Sequence, residues 1–106
     1  MKLGIIINTN NPETAWNALR LGSTALDGGH KVSVFLLGSG VEIEKIKDEK
    51  FNVPEVLSKF AGNKGNLLAC GTCLKIRQQE AGMCPVSTMP QLVQLIAASD
   101  KVVTFG

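Results

Sequence analysis

Several features that would point to particular functions are scarce or absent in this 106-residue sequence. Aromatic residues make up only 5% of it, with one Trp, four Phe and no Tyr, so the core is predicted to be aliphatic. No apolar run approaches the length of a membrane span, and the short run at the amino terminus lacks the h-region of a signal peptide. We therefore expect a cytoplasmic protein that has no membrane partner.

Strong charge is also missing. The formal net charge is +2, and the Lys and Arg residues are scattered rather than clustered, which argues against nucleic acid as a partner. The three cysteines are an odd number, which argues against a disulfide framework, and cytosolic thiols stay reduced unless they have redox or sulfur chemistry to perform. The length suits one domain over residues 1–106.

Short aliphatic runs alternate with segments of helical character along the whole chain. The runs predict five strands, at 2–7, 31–38, 66–70, 84–87 and 101–105. Between them the spacing predicts helices at 12–27, 53–62, 71–82 and 87–100, and a short amphipathic helix or loop after residue 38. This alternation predicts an α/β fold, with a mostly parallel five-stranded sheet and helices on both faces.

Sites in parallel α/β sheets collect at the carboxyl ends of the strands. In this sequence the loops after the first four predicted strands begin near Asn8, Gly38, Cys70 and Ser87. The stretch "LLACGTCLKIR" therefore places Cys70 at the functional edge of the sheet, where a strand meets the next helix.

Cys70 and Cys73 form a C-x-x-C pair at this junction. A thiol beside the amino terminus of a helix is near unpaired N–H groups and the positive end of the helix dipole, which favour the nucleophilic thiolate. Gly71 permits a tight turn, and Lys75 with Arg77 adds positive charge within two turns. Cys73 falls in the first helical turn, close enough to act as a second or resolving thiol.

Alternative interpretations of these residues remain open. Free cysteines often only fill space in the core, and Cys84 could face either the core or the same edge. A zinc site would need four ligands, but His30 precedes the second strand and belongs at the opposite edge, so no metal is expected. The "GSG" at 38–40 lacks the form of a phosphate loop and is interpreted as a turn.

The sequence resembles the DsrE/DsrF-like family, which includes TusD-type sulfur-relay subunits and small YchN-like proteins. The resemblance runs essentially end to end. It rests on the opening "GIIINTNNPETAWNALRLGSTALDGGHKVSVFLLGSGVE", on "LLACGTCLKIR", and on the closing "CPVSTMPQLVQLIAASDKVVTF". The chain differs from the usual arginine-glycine ending after the cysteine motif, since it has "KIRQQEAG" there.

This resemblance implies a three-layer α/β/α domain that assembles as a homo-oligomer, a trimer or hexamer. It also implies a sulfur carrier that holds sulfane sulfur as a persulfide on Cys70 and needs no cofactor. Its partners would be sulfur-donor and sulfur-acceptor proteins. Cys73 would act with Cys70, and Cys84, Lys75, Arg77 and Asn8 are accessory candidates. Two other hypotheses are a dithiol redox protein and a non-catalytic binding or regulatory module of the YchN-like type.

Overall fold

The computed structural model describes residues 1–80 and 82–106 and contains a five-stranded parallel sheet. The strand order is β4-β3-β2-β1-β5, and every neighbouring pair is parallel. The strands are β1 (Lys2–Ile7), β2 (Lys31–Leu36), β3 (Asn66–Cys70), β4 (Val86–Ser87) and β5 (Lys101–Phe105). The predicted α/β fold with a mostly parallel sheet is confirmed.

Within the described residues, four α-helices connect these strands: α1 (Pro12–Asp27), α2 (Val53–Gly62), α3 (Gly71–Ile76) and α4 (Met89–Ala98). Three of them begin with a side-chain cap followed by a proline in the first turn, where a helix does not need the missing N–H. In α4 the cap is a capping box, in which the Thr88 and Gln91 side chains each bond the other residue's backbone N–H.

Helices cover both faces of the sheet. Gly4 and Ile5 are neighbours on β1, so their side-chain directions point to opposite faces. A Cβ on Gly4 would lie 2.9 Å from the Leu95 side chain of α4, whereas Ile5 packs near Gly22 of α1 and Phe60 of α2. The sheet therefore lies between α4 on one side and the α1–α2 pair on the other.

In the described residues, the fully buried core contains two aromatic side chains, and most of the others are aliphatic. Phe35 and Phe60 are the largest fully buried side chains, and they are surrounded by Ile, Leu and Val side chains of the strands and helices. The long central strands β1 and β2 are buried on both faces for most of their length, as their continuous apolar sequences predict.

Helix α3 is shorter than the predicted helix 71–82, of which position 81 lies outside the described residues. It ends at Ile76 because Gln78 adopts a left-handed conformation, with φ +50°. The N–H of Gln79 then donates to the carbonyl of Leu74 at 2.9 Å, and the N–H of Gln78 donates to that of Lys75 at 3.0 Å. These two bonds form a Schellman motif, which usually has glycine where Gln78 stands. Because position 78 is not glycine, the sequence carries no signal for the end of this helix.

The segment after β2 is a 3₁₀ helix, Gly38–Lys45, where the sequence predicted an extended strand to residue 38 and then a turn or short helix. The strand stops at Leu36 because Gly38 takes a positive φ of +57°. Gly40 approaches β1 so closely that a Cβ there would overlap the carbonyl oxygen of Ile7. This 3₁₀ segment therefore lies against the carboxyl end of the sheet. β4 is likewise shorter than the predicted 84–87.

A search of the described helices for one long and apolar enough to cross a bilayer finds none.

Candidate thiol site

The predicted strand-end residues lie at one edge of the sheet. Cys70 is the last residue of β3, and the strand register places it beside Ser87, the last residue of β4. Gly38 follows β2, and its backbone N–H donates to the Sγ atom of Cys73 at 3.2 Å. Asn8 follows β1, and its side chain packs directly against Gly38. Residues that follow or end four parallel strands thus lie at the edge of the sheet that carries the two thiols.

Cys70 lies in the wall of a cleft of about 570 Å³. Its side chain is only 2% exposed, so a reactant would reach the sulfur from the cleft side. Cys70 is also the N-cap of α3, but its thiol makes no capping hydrogen bond. None of the described residues that line the cleft carries a carboxylate, and Lys75 supplies its only charge. The lining comprises Cys70, Gly71, Thr72, Leu74, Lys75, Gln79, Val86, Ser87, Thr88 and Met89.

Cys73 is half-buried and lies next to Cys70. Burial raises the pKa of the Cys73 thiol above its ordinary value, and the neighbouring Cys70 thiol raises it further. The Gly38 N–H and, more weakly, the Arg77 guanidinium act in the opposite direction, because both favour the thiolate, but they do not cancel the rise. Cys73 is therefore mostly a neutral thiol at neutral pH.

Lys75 and Arg77, which the sequence grouped together, point to different sides of α3. Residues two apart on a helix do not share a face, and only Lys75 lines the cleft. The Nε atom of Arg77 donates to Glu42 Oε2 at 3.0 Å, and its Nη1 donates to the carbonyl of Cys73 at 3.2 Å. Arg77 therefore ties α3 to the 3₁₀ segment, and Glu42 partly neutralises its charge.

Cys84 faces the core. Its side chain is 2% exposed, and it does not line the cleft beside Cys70. Burial, followed by the negative charge of Glu44, raises the pKa of the Cys84 thiol to about 12. A thiol this reluctant to ionise is a poor nucleophile, so the space-filling interpretation of Cys84 is the one that its surroundings favour.

We expect Cys84 to resist alkylation in the native protein. At pH 8 its thiolate fraction is about 10⁻⁴ because its pKa is about 12, and the reagent also has no open path to the sulfur. Iodoacetamide followed by peptide mass spectrometry is expected to label Cys84 only after unfolding in urea. Labelling of Cys84 in the folded protein as fast as in the unfolded chain would contradict the buried placement.

The opposite edge of the sheet holds His30, as the sequence predicted. Its Nδ1 atom lies 2.9 Å from the amino-terminal nitrogen of Met1, far from the cysteines along the strand direction. In residues 1–80 and 82–106 there is no group of three or more His, Cys, Asp and Glu side chains arranged to hold a metal ion.

The contacts of the 3₁₀ segment were not apparent in the sequence. Gln79 donates from its side chain to the carbonyl of Val41 at 2.8 Å, and Glu44 accepts from the N–H of Met83 at 2.7 Å. Together with the Arg77–Glu42 pair, they fix the 3₁₀ segment against α3 and the loop that follows it. The only available signal was the glycine pair in "GSG" directly after a buried strand.

The fold and the site define a small α/β protein that has a dithiol pair at the carboxyl edge of an all-parallel sheet. Comparison with known proteins identifies the family within this class. The model of the DsrE/DsrF-like family matches residues 1–105, and the chain belongs to this family. That membership places it in a family of sulfur-relay type.

Two archaeal relatives support the assignment. An uncharacterized protein of Methanocaldococcus jannaschii is 37% identical over 115 aligned positions, which cover 99% of this chain and 100% of the relative. An uncharacterized protein of Methanopyrus kandleri is 34% identical over 100 positions, which cover 88% of this chain and 83% of the relative.

A solved structure has the same fold. It is a conserved protein of unknown function from Bacteroides thetaiotaomicron, and it superimposes with a TM-score of 0.81 over 98% of this chain and 94% of its own. The sequence identity is 17%, so this likeness concerns the fold alone.

Proposed function

We propose that this protein is a sulfur carrier that holds sulfane sulfur as a persulfide on Cys70. The observation that carries the proposal is the position of Cys70, which is in contact with a second thiol and in the wall of a cleft of about 570 Å³. None of the described residues that line this cleft carries a carboxylate. Membership of a sulfur-relay-type family supports the same chemistry.

In the loading step, the Cys70 thiolate attacks the outer sulfur of a donor persulfide, R–S–SH. A bond forms between Cys70 Sγ and that sulfur, the donor S–S bond breaks, and R–S⁻ leaves with the electron pair. Lys75 is the only charged residue among the described residues that line the cleft, and its ammonium would stabilise the negative charge of the departing R–S⁻ group. An acceptor thiolate then repeats the exchange and regenerates Cys70.

Cys73 would provide a second way to discharge the sulfur. Its thiolate attacks Cys70 Sγ, a Cys70–Cys73 disulfide forms, and hydrosulfide leaves, so the two thiols are oxidised as the sulfane sulfur is reduced. An external dithiol must then reduce the disulfide. Because the pKa of Cys73 is raised, this discharge is expected to be slow at neutral pH and faster as the pH increases.

Intact-mass measurement tests the carrier role. After incubation with a rhodanese-type donor and thiosulfate, the protein is expected to gain the mass of one sulfur atom and to lose it again with reductant. Cys70→Ala should abolish this gain, whereas Cys84→Ala, which removes a buried thiol outside the cleft, should retain it. Cys73→Ala should load and hold the sulfur longer than the wild type does.

The contact between the two thiols also favours a second function, that of a dithiol redox protein. In that case the same measurement would show a loss of two hydrogens on oxidation and no gain of sulfur. If all three thiols stay unmodified with every donor while the protein remains folded, both functions are wrong and a binding or regulatory role is left.

We further propose that the protein works in the cytoplasm as a homo-oligomer, with sulfur-donor and sulfur-acceptor proteins as partners. Several large apolar side chains are 44–73% exposed around β4, α4 and the end of α3, which supports self-association. They are Ile76, Met83, Val86, Met89, Val93 and Ile96. A monomer by light scattering at micromolar concentration would contradict the oligomer.

A further inference from the structure

We propose that the amino edge of the sheet, opposite the thiol pair, binds a small ligand that carries a chain of two or more phosphate groups. Two cavities open at this edge, with volumes of about 450 and 520 Å³. They adjoin one another, because Lys31, Ser33 and Asn66 line both of them. We refer to the two together as the amino-edge groove.

The amino-edge groove is positively charged. Lys2 lines the first cavity and Lys64 the second, in addition to the Lys31 that they share. No carboxylate lines either cavity, and throughout residues 1–80 and 82–106 none of these three ammonium groups has a carboxylate oxygen within 4.0 Å. The nearby Asp100 carboxylate accepts from the backbone N–H of Lys2 at 2.7 Å. Three unpaired cations along one groove attract an anion with several charges.

Neutral donors lie between these charges. The Asn66 side chain donates to Ser33 Oγ at 3.3 Å, which leaves the Ser33 hydroxyl hydrogen available to a ligand. Gln94 adds an amide to the wall of the first cavity. Phosphate oxygens accept hydrogen bonds from hydroxyl, amide and ammonium groups alike. The groove therefore offers the donors that a phosphorylated ligand requires.

The backbone of Lys64 provides an independent observation. Its φ is +71°, a conformation that favours glycine. The residue ends α2 in a Schellman motif, in which the N–H of Gly65 donates to Phe60 at 3.0 Å and that of Lys64 to Ala61 at 3.2 Å. Helix α1 ends in the same way with Gly29, at φ +86°. A lysine stands where glycine would be less strained, and this residue lines the groove.

The arrangement favours a phosphate chain over a single phosphate. One phosphate group occupies one cavity, where it meets Lys31 with either Lys2 or Lys64. A chain that spans both cavities meets all three ammonium groups at once. Each additional charge contact strengthens binding and increases its dependence on salt.

Titration calorimetry of the full chain with inorganic tripolyphosphate tests the proposal, with inorganic phosphate compared at the same salt concentration. We expect saturable one-to-one binding that is about tenfold tighter for tripolyphosphate than for phosphate. Lys31→Gln is expected to weaken binding about tenfold. Lys47→Gln makes the same change in net charge at an exposed residue outside the groove, and it should leave the affinity within about twofold.

The variant Lys64→Gly distinguishes a loss of ligand binding from a loss of fold stability. Because glycine suits the left-handed backbone, this variant is expected to have a higher Tm and yet to bind tripolyphosphate more weakly. The proposal is overturned if no saturable binding occurs, or if Lys47→Gln weakens binding as much as Lys31→Gln does. Since the groove and the thiol pair lie at opposite edges of the sheet, neither result bears on sulfur loading.

Discussion

Replacing Phe60 with alanine is expected to lower the free energy of unfolding by about 3–5 kcal/mol. The Phe60 side chain is completely buried, and it fills the space between α1, α2 and the sheet. The packing around the ring is close. A Cβ on Gly22 would lie 2.8 Å from Phe60 Cε1, and a Cβ on Gly65 would overlap the other side of the ring. Its removal would leave a cavity that these backbone segments cannot fill.

Phe51→Ala is the matched control for this prediction. Phe51 is half-buried at the surface, where its ring centroid lies 5.3 Å from that of Trp16. Removing this ring loses a surface aromatic pair worth about 0.5–1.5 kcal/mol beyond its buried area, and it leaves no closed cavity. Urea unfolding of both variants gives the comparison. Equal losses for Phe51→Ala and Phe60→Ala would mean that the Phe60 ring is not central to the core.

Much of this fold could be predicted because its strands are buried and its helices carry local start signals. For β1, β3 and β5 the bounds predicted from the apolar runs agree with the bounds of the strands in the structure. Asn11 before Pro12 marked the beginning of α1, and its side chain does accept from the N–H of Thr14 at 2.9 Å. Helix ends were harder, because Lys64 and Gln78 occupy positions where glycine is the usual signal.

The candidate site was predictable in position but not in detail. The rule that sites lie at the carboxyl ends of parallel strands predicts from the sequence alone that Asn8, Gly38 and Cys70 lie at one edge of the sheet. The burial of Cys70 could not be predicted, and neither could the hydrogen bond from Gly38 to Cys73, which depends on how the 3₁₀ segment packs against α3. That packing is formed by residues about 35 positions apart in sequence, which no local pattern reports.

Gly40→Ala is expected to have the second large effect, a loss of about 3 kcal/mol in the free energy of unfolding. The new Cβ would overlap the carbonyl oxygen of Ile7, which is backbone at the end of a central strand and cannot rotate away. The 3₁₀ segment would have to move outward as a unit. Its displacement would also uncover Cys73, and because burial is the largest cause of that thiol's raised pKa, the gain in exposure should outweigh the loss of the hydrogen bond from the Gly38 N–H. Cys73 in this variant should therefore react faster with iodoacetamide than in the wild type.

Gly62→Ala is the control for Gly40→Ala, because it makes the same glycine-to-alanine change at a position with open space. Gly62 is the last residue of α2, and a Cβ there would meet no atom within 4 Å, so alanine should stabilise the helix by about 0.5–1 kcal/mol. Opposite signs for the two variants in urea unfolding would support the close approach of Gly40 to β1. An unchanged stability for Gly40→Ala, with Cys73 alkylated at the wild-type rate, would show that the 3₁₀ segment does not lie against Ile7 and does not shield Cys73.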